Sequence, residues 1–126
     1  MREIFIFGSN ESGFHGAGAA KYAMRHHGAI YGQGVGLQGN SYAIPTKDYN
    51  INTLSIDRIR FYVNQFIQFA KQNPELKFNV TAIGCGLAGY TPFQIAPLFA
   101  AAPTNNCVMP ISFAGIIEWA GETWES

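Results

Sequence analysis

The chain has 126 residues, with eight Lys+Arg balanced by eight Asp+Glu and a formal net charge of zero. Its 48% hydrophobic and 14% aromatic content excludes intrinsic disorder, and its length fits one domain, residues 1–126, with a real core. No apolar run is long enough to cross a bilayer, the opening MREIFIFGSN lacks a secretory core, and two cysteines make no disulfide framework, so a cytoplasmic protein without a membrane partner is expected.

In chain order, residues 3–7 (EIFIF) are large and apolar on both faces, which predicts a buried strand ending at Gly8. A glycine-rich loop follows, and then a helix over about 16–27, with Ala19, Ala20, Ala23 and Met24 along one face and Gly28 as its stop. A second glycine-rich stretch, residues 28–40, reads as a connection or a pocket rim. It leads into a strand at 42–44 closed by Pro45. Residues 55–71 carry the clearest helical period, through Ile56, Ile59, Val63, Phe66, Ile67 and Ala70, with Ser55 at the N-terminus and Asn73-Pro74 as the stop. Phe61, Phe66 and Phe69 are expected in the core.

Residues 78–83 (FNVTAI) predict a strand that runs straight into GCGLAGY. Thr91-Pro92 then opens a helix that is short or kinked at Pro97. Residues 107–113 (CVMPISF) read as a last strand, at the sheet edge because of Pro110, and the tail carries a helical turn. Alternation of strands and helices predicts an α/β fold with a mixed, largely parallel sheet.

Glycine is the compositional outlier: 14 of 126, nine of them before residue 40. Gly8, Gly13, Gly16 and Gly18 follow the first strand, and Gly84, Gly86 and Gly89 follow a later one. Ligands of open α/β sheets lie at the carboxyl ends of the strands, where glycine backbone can approach an anion and aim its N–H groups at it. Two such loops side by side suit a diphosphate. The familiar signatures fail: GxGxxG at 34–39 has no strand before it and a strand after it, and GFHGAGAAK lacks the Gly-Lys-Ser/Thr ending of a Walker loop. Cys85 and Cys107 stand far apart in sequence with no histidine near either, so neither a metal nor a cofactor is expected.

Four stretches resemble the macrodomains, which bind ADP-ribose, and most closely the branch of glycohydrolases that remove terminal ADP-ribose from acidic side chains. They are IFIFGSN, HGAGAAKYAMRHHGA, SYAIPTK and AIGCGLAGY. The resemblance implies a compact macrodomain-like three-layer α/β/α fold that binds ADP-ribose or a related metabolite. Its partners would be that small molecule or an ADP-ribosylated protein or nucleic acid. Asn10, beside Gly8 and Ser9, would meet the distal ribose. Gly16, Ala17, Gly18 and Ala19 would form one wall, with Thr46 close by. Gly84, Cys85, Gly86, Leu87 and Ala88 would wrap the diphosphate, with Gly89 and Tyr90 next to them. Lys47 matches the lysine that attacks the anomeric carbon in that branch.

That branch carries an aspartate directly after Gly-Cys-Gly-Leu, where this chain has Ala88. A replacement base would have to come from Glu11, Asp48 or His15. Cys85 reads as a small apolar residue beside its loop, and Tyr31 or Tyr42 as an adenine platform. Two functions follow: a hydrolase acting through Lys47, with Asn10 and His15 assisting, or a reader that binds without chemistry. A third, a nucleic-acid module using Lys21, Arg25, His26 and His27, is opposed by the zero net charge.

Overall fold

The computed structural model of the chain describes residues 1–125. Six strands form one mixed, mostly parallel sheet: β1 (Arg2–Asn10), β2 (Gly36–Gln38), β3 (Ser41–Lys47), β4 (Leu76–Val80), β5 (Cys107–Pro110) and β6 (Thr123–Trp124). Their order is β2-β3-β1-β4-β5-β6, with only β2 antiparallel to its neighbour. Helices α1 (Gly18–His26), α2 (Ile56–Gln72), α3 (Pro92–Ile95) and α4 (Ile111–Ala114) complete a three-layer α/β/α arrangement.

The two faces of the sheet are covered unequally, and side-chain parity along the strands is the cause. Ile4 and Ile6 of β1, Tyr42 and Ile44 of β3, and Phe78 and Val80 of β4 point to the side packed by α2, α3 and α4. Phe66 of α2 anchors that side, with its ring against Tyr42, Phe78 and Phe99 at centroid distances of 5.3, 5.5 and 6.2 Å. Phe5 and Phe7 of β1 and Ala43 of β3 point the other way. There they meet Ala20, Ala23 and Tyr22 of α1, with His15 edge-on to Phe7 and His27 stacked on Phe5 from the flanking loops. Ala19 and Met24 are exposed, so the apolar stripe of α1 is narrower than its composition implies.

Several boundaries differ from the sequence expectation. β1 runs on to Asn10, because β3 continues beside it through Pro45 to pair Lys47 with Asn10. Pro45 is tolerated because β2 pairs only with residues 41–43 and pairing on that side of β3 resumes only at Thr46 and Lys47, with Leu54 and Thr53, so Pro45 falls in the gap between the two. β4 ends at Val80, and Thr81 turns its hydroxyl onto the Ile6 carbonyl at 2.7 Å. The helix after Thr91 gives way at Ala96 to a 3-10 turn containing Pro97. β5 is not an edge strand, since β6 pairs with it at Met109 and Pro110. Residues 111–114 form α4 rather than continuing the strand. On α2, Phe66 is buried and Phe69 half-buried, but Phe61 is exposed.

The 28–40 stretch does more than connect. A Cβ on Gly34 would stand 2.3 Å from the Asn10 carbonyl oxygen, and one on Gly39 would stand 2.6 Å from that of Gly28. Ser9 Oγ donates to the Gly34 carbonyl at 2.5 Å. Gly34 thus lets the loop lie directly against the end of β1 and hold it from behind, and Gly39 lets the two ends of the stretch close on each other. No helix among the described residues is long and apolar enough to cross a membrane.

Candidate functional site

A cleft of about 840 Å³ runs along the carboxyl ends of the strands, from Lys47 on β3 past Gly8 to Asn10 on β1 and the loop after β4, to Trp124 and Glu125. Strands lie about 4.8 Å apart, so the four spacings from β3 to β6 give a trough about 19 Å long. Both glycine loops line it. Residues 16–19, leading into α1, form one wall, and residues 84–88 form the other. The N-terminus of α1 opens here with no side-chain cap and no acidic residue in its first turn. Its dipole and unpaired N–H groups therefore favour an anion.

The glycines divide by what requires them. Gly13 adopts φ +76° and has backbone where a Cβ would go, and Gly84 adopts φ +73° with Ile95 Cδ1 3.1 Å from that point. Gly18 and Gly89 also have positive φ. Gly16 and Gly86 fit neither case: both have ordinary φ, and a Cβ on either would meet nothing within 4 Å. Neither the turn nor the packing of the fold requires a glycine at these two positions. One stands on each wall of the cleft.

Asn10 lies in the lining but is largely committed to the loop itself. Its Oδ1 accepts from Ser12 Oγ and Phe14 N–H, each at 2.8 Å, and its Nδ2 donates to the Phe14 carbonyl at 3.0 Å. One amide hydrogen remains for a ligand. Thr46 lies in the wall, with its hydroxyl turned to the Ser9 carbonyl at 3.4 Å. Lys47, also in the lining, forms no ion pair among the described residues. Cys85 packs its half-buried thiol against the core, and burial pushes that thiol above its ordinary range, which opposes a reactive thiolate.

Three expected site residues lie elsewhere. His15 is fully buried, edge-on to Phe7 at 5.3 Å, with Nε2 3.2 Å from Gln38 Oε1. The loop turns its ring inward because the inner face of β1 offers an aromatic partner there. Gly89 forms a turn beside the lining, donating its N–H to the Gly86 carbonyl at 3.0 Å. Tyr90 packs on the core with its hydroxyl on the Leu54 carbonyl at 2.6 Å. The candidate bases fare no better. Glu11 accepts from the Tyr62 hydroxyl and faces Arg58 at 3.6 Å, and Asp48 accepts from the N–H groups of Asn50 and Asn52. Of the two tyrosines proposed as platforms, Tyr42 is in the core and Tyr31 lies outside the cleft, stacked on Phe14.

Other lining residues escape sequence reasoning. Phe5 and Tyr22, with ring centroids 5.6 Å apart, line the trough on the side that α1 covers. Trp124 lines it from β6 and is fixed by Nε1–H donating to the Val80 carbonyl at 2.7 Å. Glu125 is the one carboxylate in the lining among the described residues. The signal for Phe5 was its parity, opposite to Ile4 and Ile6. For Trp124 there was none, because a two-residue strand has no period.

The trough therefore combines a lysine at its β3 end, a cradle of bare backbone with a helix N-terminus, the rings of Phe5 and Tyr22 on the side of α1, and Trp124 with a carboxylate at its β6 end. The chain matches no family model, no curated protein and no solved structure.

Proposed function

We propose that the chain is a macrodomain-like protein that binds ADP-ribose or a metabolite built like it. The diphosphate would lie between residues 16–19 and 84–88, where the α1 dipole and glycine backbone favour an anion. The adenine would take the aromatic lining of Phe5, Tyr22 and Trp124, and the distal ribose the part at Asn10 and Lys47. The observation that carries this proposal is the pair Gly16 and Gly86, bare of side chains on facing walls where the fold asks for no glycine. Isothermal calorimetry with ADP-ribose tests it. Saturable one-to-one binding is expected, and no heat at millimolar ligand would overturn it.

Lys47 supports a second function, hydrolysis of an ADP-ribosyl linkage, because an amine without an ion-pair partner among the described residues lines the ribose end of the cleft. The acidic groups weigh against it: Glu11 and Asp48 are committed elsewhere, and Glu125 lies at the opposite end. Binding without chemistry is the better-supported function. Incubation with peptides mono-ADP-ribosylated on Asp or Glu separates the two. Release of ADP-ribose that is lost in Lys47→Ala would establish the hydrolase.

A further inference from the structure

Ile51 has φ +64°, a left-handed conformation that a β-branched side chain adopts only under strain. The residues on either side of it are Asn50 and Asn52, the residue type that tolerates this conformation best after glycine. A shift of one position would have removed the strain, yet the chain places isoleucine there.

The surrounding loop enforces this geometry. Asp48 Oδ1 accepts from Asn50 N–H at 2.8 Å and from Asn52 N–H at 3.0 Å, and its carbonyl accepts from Ile51 N–H at 3.1 Å. Lys47 bridges to Thr53, and the Thr53 hydroxyl donates to the Ala88 carbonyl at 3.1 Å, which ties this loop to the wall at 84–88. The strained side chain does not repay its cost by packing in the core. It is 43% exposed and lines the cleft at the lysine end.

We infer that Ile51 is a specificity residue, held in a strained conformation so that its methyl groups cover the carbon–hydrogen face of the terminal sugar. This rests on the ADP-ribose proposal above. On that basis the cradle and the aromatic lining bind the ADP portion, and Ile51 supplies affinity only to ligands that continue beyond the diphosphate. The site would thereby favour ADP-ribose over ADP, which makes only the contacts of the ADP portion.

Calorimetry of the wild-type chain and Ile51→Gly with ADP-ribose and with ADP, alongside thermal melts, tests the inference. Removing about half the burial value of an isoleucine side chain should weaken ADP-ribose binding roughly three- to tenfold. ADP affinity should stay the same, and the melting temperature should rise as the strain is released. Ile51→Asn, which keeps the left-handed turn but loses the methyl groups, should show the same selective loss. Equal weakening of both ligands, or no weakening of either, would overturn the role of Ile51 while leaving the ADP-ribose proposal standing. A lower melting temperature in Ile51→Gly would overturn the strain. Failure of both ligands to bind the wild-type chain would overturn the underlying proposal and this inference with it.

Discussion

Replacing Gly86 with alanine should make the protein more stable and a poorer binder. Gly86 has an ordinary φ and open space where the methyl group would go. The folded state therefore accepts it without strain, while the unfolded chain loses conformational freedom, for a gain of about 0.4–1 kcal/mol. That corresponds to a rise in melting temperature of roughly 2–4 °C for a domain of this size. On the ADP-ribose proposal, the same methyl group would stand where a phosphate oxygen is expected to meet the loop. Losing one hydrogen bond to a charged group costs about 1.5–3 kcal/mol, or about ten- to a hundredfold in affinity. Melting curves and calorimetry with ADP-ribose on the same sample read both effects. A fall of several degrees would mean the glycine serves the fold, and unchanged affinity would mean the ligand never approaches that backbone. Gly84→Ala is the control: with φ +73° and Ile95 Cδ1 3.1 Å from the new Cβ, it should lose at least about 1 kcal/mol.

Gly34→Ala should destabilise the end of β1, since its Cβ would stand 2.3 Å from the Asn10 carbonyl oxygen; faster amide exchange at residues 10–14 would report it, and unchanged exchange would refute the buttress. Phe66→Ala removes the ring shared by Tyr42, Phe78 and Phe99 and should cost about 3–5 kcal/mol in chemical denaturation. Stability should also fall in alkali. Burial pushes the Cys107 thiol up to about 12, from an ordinary value near 9, so above pH 9 the folded state retains a proton that the unfolded chain releases, and folding weakens until about pH 12. In Cys107→Ala that decline between pH 9 and 12 should be shallower; an identical slope would place its origin elsewhere.

The strands and helices that were legible in the sequence are those with a long period or a sharp stop. α2 is an example: its apolar residues recur at helical spacing and Ser55 caps it, accepting from Arg58 N–H at 3.2 Å. The two glycine loops were legible as a pair because each follows a strand and precedes a helix, and they do line one cleft. Pairing partners were not legible. Pro45 looked like a strand end because its sequence does not tell which side of β3 lacks a neighbour at that residue, and Pro110 looked like an edge because β6 is two residues long. His15 shows the same limit for the site. A histidine in a glycine loop has the right chemistry for catalysis, but the direction of its ring depends on Phe7 and Gln38, which lie on different strands. The aromatic lining of the trough draws on β1, α1 and β6, which are far apart in sequence, and only the fold brings them to one cleft.

The most direct measurement is a crystal structure after soaking with ADP-ribose. Density for a diphosphate between residues 16–19 and 84–88, with adenine toward Trp124 and the distal ribose toward Lys47, is the predicted result. A cleft that stays empty at millimolar ligand, or a ligand bound away from both glycine loops, would contradict it.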